Sequence, residues 1–170
     1  MVAHCGCGVY GMETFTKARL EHSGFGGTLC KPLWFMGYFF EFDATNKVLR
    51  CCRNGRVTDA LLLEAYSVAR KLLESRSSCR AIDDYSVVTE FAVSTHTIKA
   101  LAENSRSSAF KELVIVAPQV HIYGLARMFS ILTETSRTVH AVRTMEEAYS
   151  LLGVSTPGFT RISESAASGE

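Results

Sequence analysis

The chain has 170 residues, 47% of them apolar and 21% charged, with a formal net charge of +1. That is the composition of a folded globular domain with a real core, and it excludes nucleic-acid binding by bulk charge. No apolar run approaches the roughly 20 residues that span a bilayer, and no cationic segment followed by an apolar one marks a signal peptide, so a cytoplasmic location is expected.

Residues 1–35 hold six of the twelve glycines and three of the six cysteines, with no sustained period of 2 or 3.6. They read as a poorly ordered leader. His4-Cys5-Gly6-Cys7 has metal-ligand residue types, but no four ligands stand at a familiar zinc spacing. Gly24-Phe-Gly-Gly-Thr is glycine-rich without a preceding strand or a Gly-Lys-Ser/Thr ending. No metal and no cofactor are expected. Met36 stands directly before the first strand-like segment and is a candidate natural start. With no export signal, the cysteines are expected to be reduced.

The domain is expected over residues 36–154. Tyr38–Phe42 is aromatic and partly alternating, Asp43-Ala-Thr-Asn-Lys is turn chemistry, and Val48–Arg53 follows as a second strand. The pair reads as an antiparallel hairpin. Asn54-Gly55 reads as a bulge. Vicinal Cys51 and Cys52 would point to opposite faces, one in the core and one half exposed. Thr58 or Asp59 caps a helix to about Ser75, with Leu62, Tyr66, Ala69 and Leu73 as its apolar stripe.

Arg80–Ser86 reads as a short strand ending in acids, and Val87–Val93 as irregular or extended. Ser94-Thr-His-Thr caps a helix over Ile98–Ser105. Phe110–Gly153 is the clearest stretch, a βαβα unit. Its strand Leu113-Val-Ile-Val-Ala breaks at Pro118, and a helix runs from Val120. A strand, Thr138-Val-His-Ala-Val, and a short helix stopped by Gly153 complete it. Ser155–Glu170 is small and polar and reads as a disordered tail. The order is ββαβαβαβα, an α/β domain with a mixed sheet of four to five strands and helices packed on it.

Several segments together resemble the STAS-like (SpoIIAA-like) family of small bacterial domains, grouped with CRAL-TRIO lipid-binding domains. They are Gly37-Tyr-Phe-Phe-Glu-Phe-Asp, Gly55-Arg-Val-Thr-Asp, Asp84-Tyr-Ser-Val-Val-Thr-Glu-Phe, Val114-Ile-Val-Ala-Pro, Tyr123-Gly-Leu-Ala-Arg-Met-Phe and Val142-Arg-Thr-Met-Glu-Glu-Ala. The resemblance covers about Gly37–Val154. It implies a non-catalytic regulatory module that binds a protein partner, with the CRAL-TRIO kinship offering a small-molecule or lipid carrier instead. In regulatory members an Asp-Ser pair precedes a helix, and the Ser is phosphorylated. The matching place is Val93-Ser94-Thr95-His96, where Val93 replaces the Asp and His96 the usual Gly. Ser94 is thus a candidate phosphorylation site, weighed against a plain N-cap.

Ligands of open α/β sheets bind outside the carboxyl ends of the strands. The residues expected there are Asp83, Asp84, Ser86, Ser94, Thr95, Pro118, Gln119 and His121, with Tyr123 and Gly124 one turn on. An enzyme using His121 as base and Asp84 as its orienting acid is a further alternative. Asp83 and Asp84 read as a turn cap and an arginine partner rather than a metal pair. Arg127 is the candidate partner and the candidate contact for a small anionic ligand. Gly124 costs about 1 kcal/mol in a helix and so implies a packing reason, close approach of helix to sheet or access to a pocket.

Overall fold

The computed structural model describes residues 37–74, 76, 79–104 and 112–162. The leader with its His4–Cys7 group, Met36, and residues 163–170 lie outside the described residues. Ten elements follow in the order β1 (Tyr38–Asp43), β2 (Val48–Thr58), α1 (Asp59–Glu74), β3 (Arg80–Ala92), α2 (Thr95–Asn104), β4 (Glu112–Val116), α3 (Val120–Thr133), β5 (Thr138–Val142), α4 (Met145–Leu152) and β6 (Thr160–Arg161).

They build one mixed sheet of six strands, ordered β5-β4-β3-β2-β1-β6. The β1–β2 hairpin is antiparallel, and β2, β3, β4 and β5 run parallel. The expected α/β class, element order and hairpin are all present. The strand number is a correction: six, rather than four to five. The extra strand, β6, pairs antiparallel with β1, Glu41 opposite Arg161 and Phe42 opposite Thr160. It lies in the stretch read as a disordered tail. That reading missed Asp43, which holds the chain before β6 through the Gly158 N–H at 2.8 Å.

Strand alternation sorts the sheet into two faces. One face carries Tyr38, Phe40, Leu49, Cys51, Ala81, Tyr85, Leu113 and Ile115, packed under α1, α2 and α3 as the larger core cluster. The other carries Val48, Ile82, Val114, Val116 and Val142, covered by α4 through Ala148 and Leu152. Phe159, just before β6, packs beside them and stacks on Tyr149 with centroids 6.3 Å apart. Leu49, Ile82 and Val114 are at most 2% exposed, so truncating any of them to Ala would cost several kcal/mol.

Local chemistry explains the boundaries. The Thr58 hydroxyl accepts from the Leu61 N–H at the start of α1. Thr144 caps α4 by accepting from the Glu147 N–H, and Gly153 ends it in the left-handed region, φ 62°. Gly37 enters β1 where an added Cβ would lie 2.4 Å from Leu61 Cδ2. Around Asn54-Gly55 the β2–β3 register shifts twice, and Gly55 takes φ 62°. The bulge is therefore where it was expected. Its surplus residues belong to β3, since Cys52 and Asn54 face Asp84 and Val87.

β3 is the largest difference from the sequence reading. It is not a short strand ending in acids but one of 13 residues, running through Val87–Ala92. Two arginines of β2 neutralise the acids within the strand, so the acids do not end it. Both vicinal cysteines are buried, Cys51 at 6% and Cys52 at 5% exposure, so neither is half exposed. No helix among the described residues is long and apolar enough to cross a membrane.

Candidate functional site

Each helix among the described residues begins at the carboxyl end of a parallel strand, which makes that end a rim of helix N-termini. β4 stops at Val116, opposite Asp84, while β3 runs on beside β2 to Ala92. The overhang leaves Val87 62% exposed, and Val120 at the start of α3 is 74% exposed.

The rim is tied together by polar contacts from distant parts of the chain. Ser94 precedes α2, and its Oγ accepts from the Thr97 N–H at 3.2 Å. Asp59 Oδ1 accepts from the Ser94 N–H at 2.9 Å and from its hydroxyl at 3.3 Å. The Ser94 N–H, followed by the side chains of Thr97 and Ser94, holds the Asp59 carboxyl below its ordinary value. Gln119 donates from Nε2 to the carbonyl of Val88, which occupies an acceptor on the overhanging strand. The exposed His121 sets its ring edge-on to Phe91, centroids 6.5 Å apart. Tyr123 lies under the Arg143 guanidinium at 4.2 Å, and Arg143 also donates to the Pro118 carbonyl at 3.1 Å.

Ser94, Thr95, Gln119, His121 and Tyr123 thus belong to the rim or its first helical turn. Asp83, Asp84 and Ser86 do not. They sit within β3, and the two acids point to opposite faces because they are sequence neighbours. Asp84 lies on the α4 face, where Oδ2 accepts from Arg50 at 2.7 Å and Oδ1 from the Ser86 N–H at 2.9 Å. His121 packs on Phe91 at the edge of the other face's core. The sheet stands between them, so Asp84 cannot orient His121, and the His121/Asp84 enzyme pairing fails.

Arg127 is also not the acids' partner. It is exposed and lines a polar depression of about 490 Å³ with Ser130, Glu134, Arg137 and His140, towards β5. Gly124 is exposed, and an added Cβ there would meet nothing within 4 Å. No close helix–sheet approach demands that glycine.

The features that sequence reasoning missed are two cross-strand ion pairs. On the α1–α3 face, Arg53 Nε and Nη2 donate to Asp83 Oδ1 and Oδ2 at 2.6 and 3.1 Å. The Arg53 side chain is 3% exposed, and its guanidinium lies 5.2 Å from the Tyr85 ring. Tyr85 donates to Asp83 Oδ2 at 3.0 Å, and burial, reinforced by that carboxylate, pushes its phenol well up. On the α4 face, Arg50 bridges Asp84 and Glu41, the latter at 3.4 Å, and lies 5.6 Å from the Phe159 ring. The signal was an Arg-x-x-Arg in one strand and Asp-Asp in the next. Only the parallel register, Cys51 opposite Asp83 and Cys52 opposite Asp84, turns it into pairs.

Two small cavities adjoin the inner pair. One of about 50 Å³ lies between the sheet and the three helices, lined by Leu62, Tyr66, Asp83, Tyr85, Ile122 and Ala126 among others. Its neighbour, about 40 Å³, shares Tyr66, Asp83 and Leu113 with it and is also lined by Arg53. Together they hold a handful of water-sized groups, far short of an acyl chain.

No family model matches the chain, and no curated protein matches it. Among solved structures it is similar to the crystal structure of an uncharacterized protein from the DUF3478 family with a SpoIIAA-like fold, from Shewanella loihica PV-4. The TM-score is 0.49 and the identity 13%, over 68% of this chain and 91% of that one.

Proposed function

We propose that the domain is a non-catalytic binding module, cytoplasmic and regulatory, that docks a protein partner on the strand-end rim. The observation that carries this reading is the apolar exposure there. Val87 and Val120 stand 62% and 74% exposed, close to the Gln119–Val88 link. Exposed apolar residues beside the N-terminus of α3, which no side chain caps, suit a partner that supplies both an apolar anchor and an acidic or hydroxyl group. Ser94 is the point of control. A phosphate on its hydroxyl would face the Asp59 carboxylate that now accepts from it, so phosphorylation would push α1's first turn away from Ser94.

Site-specific photo-crosslinking in cells tests the reading. A crosslinker at Val87 or Val120 captures one protein, and the same group at Leu151, 48% exposed on α4, does not. Equal capture from Leu151, or none from the rim, would overturn it.

A further inference from the structure

The inner ion pair leaves one donor group over. Arg53 is 3% exposed in its side chain, and Asp83 takes its Nε and Nη2. Among the described residues its Nη1 is buried without a hydrogen-bond partner. Arg53 and Asp83 line the smaller cavity, and Asp83 and Tyr85 line the larger one beside it. A buried guanidinium nitrogen calls for an acceptor, and a cavity next to it is where an acceptor can be placed.

We infer that this cavity pair is a binding site for a small neutral molecule that carries one hydrogen-bond acceptor, such as a ketone or primary amide, on a short apolar body.

Charge selects the class. Asp83 already neutralises Arg53 in a two-point pair, so an anionic ligand would bring an uncompensated charge into an apolar interior. A cation would meet the guanidinium directly. A neutral carbonyl oxygen accepts from Nη1 at no such cost. Leu49, Leu73, Ala81 and Leu113 of the smaller cavity and Leu62, Ile122 and Ala126 of the larger supply apolar contact for the remainder of the ligand. Size selects further. The cavity that Arg53 lines, about 40 Å³, has room for about three or four water-sized groups, which is the size of acetone or acetamide. The site is separate from the rim proposed for the protein partner, and its test does not depend on that reading.

Acetone and acetate have the same planar four-atom skeleton and differ in charge, so they form a matched pair of probes. Methyl NMR titration of the full chain should show saturable shifts with acetone at Leu49, Leu73 and Leu113, which line the cavity that Arg53 lines. Acetate should bind at least about tenfold more weakly. Ala69→Leu and the milder Ala69→Val fill the cavity that Arg53 lines from α1 and leave Arg53–Asp83 intact. Both should abolish the acetone shifts while Tm is kept or raised. Absence of saturation with acetone would make the cavities plain water sites and overturn the inference. Acetate binding as tightly as acetone would overturn it too, as would acetone shifts that survive in both folded variants.

Discussion

The two faces of the sheet carry the same chemical device in different settings. On each, an arginine of β2 meets an aspartate of β3, and the two aspartates are neighbours in sequence. Arg53–Asp83 is sealed under three helices. Arg50–Asp84 lies under one short helix and the segment before β6, with the Arg50 side chain 24% exposed and a second acid, Glu41, to hand. Among the described residues Arg53 pairs with no acid besides Asp83, so it depends on one partnership. The thinner face spreads its charge over several.

That difference should be visible on removal of one partner. Asp83→Asn leaves the buried Arg53 charge uncompensated, at an expected cost of about 3–5 kcal/mol in urea unfolding. Asp84→Asn should cost about 1–2 kcal/mol, because Arg50 keeps Glu41 and some water. Equal losses would show that the two faces are not different environments.

The vicinal cysteines report on the same faces without a mutation. Burial raises both thiols first of all, Cys52 to about 12 from 9.0, and the nearby Glu41 and Asp84 reinforce it there. At a given pH below 9, that leaves Cys52 about a thousandth of the ordinary thiolate. Site-resolved mass spectrometry after iodoacetamide at pH 8 should therefore find Cys51 and Cys52 unmodified in the native chain and modified in urea. Rapid native labelling of Cys52 would mean that the α4 face opens readily.

Asp43 anchors the outer end of that face. It is fully buried and accepts from the Asn46 N–H and Nδ2 at 2.9 and 2.8 Å and from the Gly158 N–H at 2.8 Å. Burial by itself would raise its carboxyl, but these donors, Gly158 foremost, outweigh it and hold the group below its ordinary 3.8. A depressed carboxyl stabilises the fold fully above the unfolded pKa and loses that contribution as pH falls through the folded one. Stability should thus drop on acidification below about pH 4. Asp43→Asn should flatten that slope, cost about 1–2 kcal/mol near neutrality, and speed exchange of the Gly158 and Ile162 amides. Unchanged exchange would mean that β6 is held by its ladder alone.

The element order was legible because period and punctuation are local. Pro118, Gly153 and the stripes of α1 and α3 mark their own boundaries. The ion pairs were not legible, because a parallel register is set by packing across the crossover helix. Asp83-Asp84 imitates a strand end until Arg50 and Arg53 are known to lie opposite. The Asp59–Ser94 contact joins residues 35 positions apart and leaves no periodic trace. β6 was hidden because the residues before it look like tail, and what holds them, Asp43 on the Gly158 N–H and Phe159 on Tyr149, is distant in sequence.

The smallest expected effect isolates helix propensity from both faces. Gly124 lies on the outer side of α3, where an added Cβ would meet no atom within 4 Å, and its φ is not positive. Alanine there loses less backbone entropy on folding and disturbs no packing, so Gly124→Ala should stabilise the domain by about 0.5–1 kcal/mol. The gain should be read as a rise in Tm with the acetone titration unchanged, because the new methyl points away from the cavities. Destabilisation by Gly124→Ala would mean that the outer surface of α3 is covered by something in the folded protein. The face with the thicker cover would then extend beyond its three helices.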